Sequence, residues 1–309
     1  MKSYLVSGLL FLLLLAGSMP ATAQQQNDEP VPRAWDGQSR FTVLILGMDR
    51  RPAQGDSLVV RTDVMILASI DPVNQRIGLM HLPRDVHMTP PDSANFVRIN
   101  TLLQDGESLQ EGYGPYWVMD TLQYNLGMYI DRYVLFDFEA FITLVDAMGG
   151  IEVTVGYPIN DETFPDMNYG FDPFALRPGT HLLNGYEALQ FARTRHTDND
   201  IMRGRRQMEV IQAVHRKLSE GRTFLEMTRR APELLGSLNG NIYTDLALQE
   251  ALLLARFAIL VDEENIITGS LDETYTLELA RPSGGRMWVP DRATVAELMI
   301  NVFGPNYAQ

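Results

Sequence analysis

The sequence predicts an α/β domain whose mixed or parallel sheet is covered on both faces, and two observations predict it. Apolar runs over Thr42–Leu46, Val64–Ile70 and Arg76–Leu82 read as strands buried on both faces, because apolar residues are continuous instead of alternating with polar ones. Segments of helical spacing then alternate with further strands, the arrangement in which helices cover a sheet. At 309 residues the chain is long enough for one large α/β domain or two small ones.

The elements follow in order. Residues 1–23 carry Lys2, an apolar run from Tyr4 to Ala16, and Ala21-Thr22-Ala23, the small-x-small form of a processing site, so a signal peptide with a mature start at Gln24 is expected. The run is shorter than the roughly 20 residues of a membrane span, although Gly17-Ser18 could extend it into a short anchor. Residues 24–40 are polar and carry proline, and read as a flexible lead-in. The first strand ends at Gly47, and the turn Asp71-Pro72-Val73-Asn74 joins the second and third. Helical spacing follows Gly114; Tyr133–Phe138 reads as a strand, Phe141–Met148 as a helix closed by Gly149-Gly150, and Ile151–Val155 as another strand. Residues 156–180, with four prolines, read as a long ordered loop, a lid or a short hairpin. Helices are expected over Leu183–Ala192, Phe224–Leu238 and Leu246–Val261, followed by a weak strand-like tail around Trp288.

A net charge of −14 disfavours a nucleic-acid binder, since everything except a local patch would repel phosphate. The chain has no cysteine, so disulfides, thiol catalysis and thiolate metal sites are excluded, and any metal must be held by oxygen or histidine.

Against this acidic background, residues 193–207 concentrate five arginines: Arg193, Arg195, Arg203, Arg205 and Arg206. Arg203, Arg206, Gln207 and Val210 share one helical face, and Asp198 or Asp200 can cap the helix start, which itself favours an anion. Fork-shaped guanidinium donors suit phosphate, yet the same run also reads as a solvated helix whose arginines pair with Asp198, Asp200 and Glu209. The strand ends carry more of the same chemistry. Strand one runs into Asp49-Arg50-Arg51, Arg61-Thr62-Asp63 precedes strand two, and strand three runs into Arg84-Asp85. Ligands of open α/β sheets bind beyond the carboxyl ends of strands, which places Asp49 and Arg84 on the binding edge. Asp63 reaches that edge only if strand two is antiparallel to its neighbours, and the short turn does not settle this. Taken singly, Asp49 also reads as a turn former, Asp63 as a cap at a strand start and Arg84 as the partner of Asp85.

The ordered set Leu46-Gly47-Met48-Asp49-Arg50, Arg61-Thr62-Asp63-Val64-Met65, Leu82-Pro83-Arg84-Asp85, Arg98-Ile99-Asn100, Gly149-Gly150-Ile151, Pro178-Gly179, Leu182–Leu189 and Arg193–Gln207 resembles the LytR-CpsA-Psr family. The resemblance is strong over 41–220 and loose over 221–309, which is expected to pack on the same domain. It implies a three-layer α/β/α sandwich with a mixed central sheet. It also implies an envelope phosphotransferase that moves a glycopolymer (wall teichoic acid, capsule or a similar secondary polymer) from a polyprenyl-pyrophosphate carrier onto peptidoglycan. By the same resemblance, Asp49 and Asp63 hold Mg²⁺, or Mn²⁺ in its place. Arg84, Arg193, Arg195, Arg203 and Gln207 clamp the pyrophosphate, with Arg61 and Arg206 as weaker candidates. Asp85 or Asp200 orients an arginine or serves as general base. His196 reads as a structural hydrogen-bonder.

Hard oxygen ligands suit Mg²⁺, and positioned cations are what phosphoryl transfer needs. A carrier lipid also needs an apolar slot, which Leu102, Leu103, Leu122, Leu126, Phe136, Phe138, Phe141 and Ile142 could line, although each taken singly reads more readily as ordinary core. Relatives usually keep an anchor preceded by a cytoplasmic stretch, whereas a cleaved leader here implies an exported protein, secreted or peripheral at the outer face of the cytoplasmic membrane; no further binding module is expected after the domain. Two other readings use the same residues: a binder of polyprenyl phosphate or anionic glycan, or an envelope regulator, without turnover; and a secreted metal-dependent pyrophosphatase or phosphodiesterase with water as acceptor.

Overall fold

The computed structural model of the chain describes residues 34–50, 54–55, 57–166, 170–194, 200–281 and 284–308. The leader expected over 1–23 and the first part of the lead-in lie outside the described residues.

The chain opens with β1 (Phe41–Met48), β2 (Thr62–Asp71) and β3 (Arg76–His81), then the short pair β4 (His87–Met88) and β5 (Val97–Arg98). Helices α1 (Leu102–Leu109) and α2 (Gly114–Leu126) lead to β6 (Arg132–Phe136) and α3 (Phe138–Ala147). Strands β7 (Ile151–Val155), β8 (Ile159–Asp161), β9 (Phe174–Leu176) and β10 (Gly179–Leu183) precede α4 (Gly185–Arg193), α5 (Asp200–Ser219) and α6 (Gly221–Ser237). The remainder holds β11 (Ile242–Thr244), α7 (Leu248–Leu260), β12 (Ile266–Ser270), the hairpin of β13 (Thr276–Ala280) with β14 (Arg286–Pro290), and α8 (Val295–Phe303).

The central sheet has the order β11-β6-β1-β2-β3-β12 and is mixed: β1 runs parallel to β6 and antiparallel to β2, and β3 runs antiparallel to β2 and parallel to β12. The period of two along a strand sorts the core into two layers. Val43 and Ile45 of β1 pack with residues of α3 to α7, whereas Leu44, Leu46 and Met48 pack with residues of α1, α2 and α8. This is the three-layer α/β/α sandwich expected. Both edge strands, β11 and β12, come from the part beyond residue 220.

Several local expectations shift for identifiable reasons. The helix expected from Phe141 starts at Phe138, because Asp137 caps it through a 3.0 Å hydrogen bond from Ala140 N. Leu183 ends a strand instead of opening a helix; Asn184 caps α4 in a capping box with Glu187. Residues 156–180 contain the hairpin of β8 and β9, and β10 then pairs with β7. The flexible lead-in is corrected from Trp35 onward. Trp35 is 7% exposed, stacks on Phe41 with centroids 4.9 Å apart and donates its backbone N–H to Glu250 Oε1 at 3.0 Å. An indole that can bury its rings and satisfy its donors gains more than it loses in chain entropy.

Candidate active site

Antiparallel pairing of β1 with β2 settles the question left by the turn. Met48 lies opposite Thr62, so the carboxyl end of β1 and the start of β2 share one edge, to which β3 also runs. Asp49, Asp63 and Arg84 therefore meet at the mouth of one cavity of about 350 Å³.

Helices α4 and α5 complete the mouth with Arg193, Arg203 and Gln207. Arg84 Nη1 donates to both oxygens of Asp63 at 2.7 Å. Arg193 Nη2 lies 3.7 Å from Asp49 Oδ1, and its guanidinium carbon stands 4.1 Å from the Phe138 ring centroid. Asp49 Oδ1 is buried and has no hydrogen-bond partner among the described residues, and the same holds for Gln207 Oε1. Such orphaned acceptors at a cavity mouth are unusual, and they leave capacity to take a cation or a donor. Arg84, Arg193 and Arg203 line the cavity beside Asp49 and Asp63, which offer hard oxygen donors of the kind Mg²⁺ takes. No group of three or more carboxylates and histidines suited to a metal occurs among the described residues.

Below the mouth the cavity turns apolar. Ile45, Val64, Ile66, Phe136, Phe141, Leu189, Val210, Ile211 and Val214 line it, between the sheet and α3, α4 and α5. Gly47 forms part of its floor because a Cβ there would stand 3.0 Å from Val64 Cβ. At Gly204 the backbone of α5 comes so close to β3 that a Cβ would stand 2.9 Å from His81 Cε1. Burial, opposed by the Gln207 side chain, pushes His81 down to about 4, so it stays neutral.

Of the expected slot residues, Phe136, Phe138 and Phe141 line this cavity, whereas Leu102, Leu103, Leu122 and Leu126 belong to the core on the other face of the sheet. Their spacing was that of a buried helix face, and only topology says which layer a helix joins. Two weaker arginine candidates also lie elsewhere. Arg61 is exposed and outside the cavity lining, contributing its carbonyl to Asp49 N at 2.9 Å. Arg206 is 3% exposed and donates to Phe191 O at 3.0 Å, to Tyr157 OH at 3.1 Å and to Thr194 O. It ties α5 to the end of α4 and has turned away from the mouth. Asp85 is also absent from the lining; it lies 3.5 Å from Arg84 Nε, which makes it an orienting group for that arginine. Arg195, His196, Asp198 and the side chain of Asp200 lie outside the described residues.

Sequence reasoning missed Asp137 and Asp161, both on the cavity wall. Asp137 receives Arg50 Nε at 3.1 Å, and Arg50 also reaches Tyr243 OH at 3.0 Å and Gly240 O, so that arginine braces the wall. Asp161 accepts from Thr194 Oγ1 at 2.6 Å. Asp137 could have been found as a cap before an apolar helix; nothing in the sequence singles out Asp161.

Comparison with known proteins agrees with this fold. The chain is 32% identical over 204 residues to the regulatory protein MsrR of Staphylococcus aureus, covering 66% of this chain and 57% of that one. It is also 32% identical over 184 residues to an uncharacterized protein of the same organism, 58% of this chain and 43% of the other, so it spans about half the length of these relatives. A polyisoprenyl-teichoic acid–peptidoglycan teichoic acid transferase, TagT of Bacillus subtilis, is 26% identical over 267 residues, 80% of this chain and 78% of that one. Among solved structures, TagV of B. subtilis superposes with a TM-score of 0.64 at 24% identity, covering 84% of this chain and 94% of that one. TagT bound to LIIa-WTA gives 0.63 at 22%, covering 92% and 99%. The family profile described as LytR_cpsA_psr matches residues 15–299, nearly the whole chain. The chain belongs to the LytR-CpsA-Psr family.

Proposed function

We propose that the protein transfers a glycopolymer from a polyprenyl-pyrophosphate carrier onto peptidoglycan. The observation that carries this reading is the two-part cavity. A mouth with Asp49, Asp63, Arg84, Arg193, Arg203 and Gln207 opens onto a mainly apolar slot, the shape that an anionic headgroup on a lipid tail requires. A soluble pyrophosphate would have no use for the slot, and an apolar ligand none for the arginines. The 26% identity to the teichoic acid transferase TagT supports the same class of reaction.

In this reading the slot takes the first part of the carrier chain and fixes the pyrophosphate at the mouth. Arg84, Arg193 and Arg203 bind its non-bridging oxygens and stabilise the charge that develops on them. Asp85, ion-paired to Arg84, keeps that guanidinium aimed. A hydroxyl of the acceptor attacks the glycan-side phosphorus, its proton passes to a base, and the bond to the bridging oxygen breaks to release polyprenyl phosphate. Asp49 and Asp63 would hold Mg²⁺ or Mn²⁺, which supplies further positive charge to the phosphate oxygens when bound.

No helix among the described residues is long and apolar enough to cross a membrane. We place the domain outside the cell, exported by the leader over 1–23 and acting at the surface of the cytoplasmic membrane where its donor resides. The test is transfer of a radiolabelled short glycan from a synthetic polyprenyl-pyrophosphate donor onto peptidoglycan oligomers, with and without Mg²⁺, beside Arg84→Ala and Asp63→Ala. Metal-dependent transfer lost in both variants is expected. Tight donor binding without transfer would indicate a binder, and donor cleavage without attachment a pyrophosphatase or phosphodiesterase.

A further inference from the structure

The cavity does not use all the cationic chemistry at this end of the sheet. Outside it, β4 and β5 place His87 across from Arg98, and Arg281, just beyond β13, brings its Nη2 to His87 Nε2. Arg98 Nη1 lies 3.4 Å from one oxygen of Asp85, whose other oxygen is 3.5 Å from Arg84 Nε. Arg98 and Arg84 thus share a single carboxylate. Arg281 makes its side-chain hydrogen bond with a histidine, and its Nε is buried with no hydrogen-bond partner among the described residues. His87 is 4% exposed, and its ring is held between Arg281 and the backbone of Asp85. Burial, then Arg281 and Arg98, hold this imidazole below its ordinary pKa, with Asp85 opposing them. The Arg98 side chain is 37% exposed, so the cluster is open to solvent. In a chain of net charge −14, the guanidiniums of Arg98 and Arg281 beside a neutral His87, with Asp85 shared between Arg98 and Arg84, form a local cationic surplus suited to an oxyanion.

We propose that Arg98 and Arg281, set around His87, form a second oxyanion subsite that holds a phosphodiester of the donor's glycan as it leaves the cavity mouth. This rests on the transferase reading for its ligand but not for its geometry. The cluster joins Arg84, a residue of the mouth, through Asp85, so a group beside it is one joined to the pyrophosphate. Guanidinium forks match the paired oxygens of a phosphodiester. A purely structural role, pinning the β13–β14 hairpin to β4, predicts a loss of stability in variants but no discrimination by glycan charge.

Calorimetry on the full chain separates these. Two synthetic polyprenyl-pyrophosphate donors with the same lipid, one with a phosphodiester in its glycan and one neutral, are titrated into the wild type, Arg98→Gln, Arg281→Gln and Arg281→Lys. The phosphodiester donor should bind the wild type roughly tenfold tighter, the size of one charge-assisted contact. Each glutamine variant should lose that advantage and leave the neutral donor unchanged, while Arg281→Lys keeps part of it. A lipid-free phosphodiester oligomer should bind weakly, more weakly as salt rises, and not at all in the glutamine variants. Equal binding of both donors to the wild type, or an oligomer that ignores the wild type or the substitutions, overturns the subsite. Oligomer binding with no donor binding would defeat the transferase reading and leave the subsite standing. Peptidoglycan fragments that bind more tightly than the oligomer, and depend on the same arginines, would overturn the donor assignment in favour of the acceptor.

Discussion

The two ends of the central sheet hold the same residue types and treat their charge in opposite ways. At the end where β1 begins, Arg132 gives Nε and Nη2 to Glu250 at 3.0 and 2.8 Å, and Nη1 to Asp131 O at 2.8 Å. Glu250 is wholly buried and also accepts the backbone N–H groups of Trp35 and Ala247. Donors and acceptors there are spent on each other. At the cavity end, the side chains of Asp49, Asp63, Arg84 and Arg193 are 18–32% exposed, and Asp49 Oδ1 has an ion-pair neighbour but no hydrogen bond among the described residues. A charged cluster that closes on itself stabilises the fold, and one with unused capacity is ready to bind. The comparison teaches that pairing geometry, not the presence of charge, separates scaffold from site.

The largest effect should come from breaking the closed end. Glu250→Ala leaves Arg132 buried without its carboxylate, and removing one member of a buried pair costs about 3–5 kcal/mol. Urea unfolding should show this loss, while transfer per folded molecule stays at the wild-type level. A fall in transfer beyond the unfolded fraction would mean that the two ends are coupled.

The open end should behave in the reverse manner. Asp49→Asn keeps the shape of the mouth but removes a carboxylate, so turnover should fall by about 10²–10³, the range found for losing one positioned electrostatic group. Stability should move by less than about 1 kcal/mol, because that carboxylate contributes no hydrogen bond through Oδ1 within the described fold. Destabilisation comparable with Glu250→Ala would show that the mouth is scaffold after all.

Arg203 and Arg206 sharpen the comparison within one helix. They stand three residues apart, yet Arg203 lines the cavity and Arg206 donates to the end of α4. Arg206→Ala should cost about 2–3 kcal/mol by orphaning two buried carbonyls. Its donor affinity should drop only in step with folding, whereas Arg203→Ala should weaken donor binding beyond any change in melting temperature. Differential scanning beside donor titration distinguishes them.

These two arginines also show what the sequence could disclose. Helical spacing placed Arg203, Arg206 and Gln207 on one face, and the face is indeed directed at α4 and the sheet. Spacing has no information on how far along that face a ligand extends, so a residue that grips backbone carbonyls looked like one that grips phosphate. The buried strands were legible because continuous apolar runs have few other uses, and Asp49 and Arg84 followed from the strand ends. The direction of β2 was not legible, since a four-residue turn fits a hairpin without fixing which neighbour pairs where. The edge strands β11 and β12 escaped notice because three- and five-residue strands carry too little pattern to rise above turns.

The smallest effect concerns the closed end again and is read through pH. Asp131 accepts Thr42 N at 2.7 Å and Asp245 accepts Tyr133 N at 2.9 Å, but burial outweighs these bonds and pushes each carboxyl up to about 6. The native state therefore holds protons that the unfolded chain releases near its ordinary carboxylate pKa of about 4. Protonation of these two groups favours folding, so their contribution is present in full below about pH 4 and is lost as pH rises through about 6. Asp245→Asn retains an acceptor for Tyr133 N and carries no charge. It should raise stability at pH 7.5 by on the order of 1–2 kcal/mol and flatten the variant's stability profile between pH 4 and 6 relative to the wild type. The difference between the two urea series isolates Asp245 from Asp131 and the other carboxylates, which titrate in both proteins. A variant no more stable than wild type at pH 7.5 would mean that Asp245 is already charged and paired within the Arg132 network, and the closed end would then be held together by charge throughout.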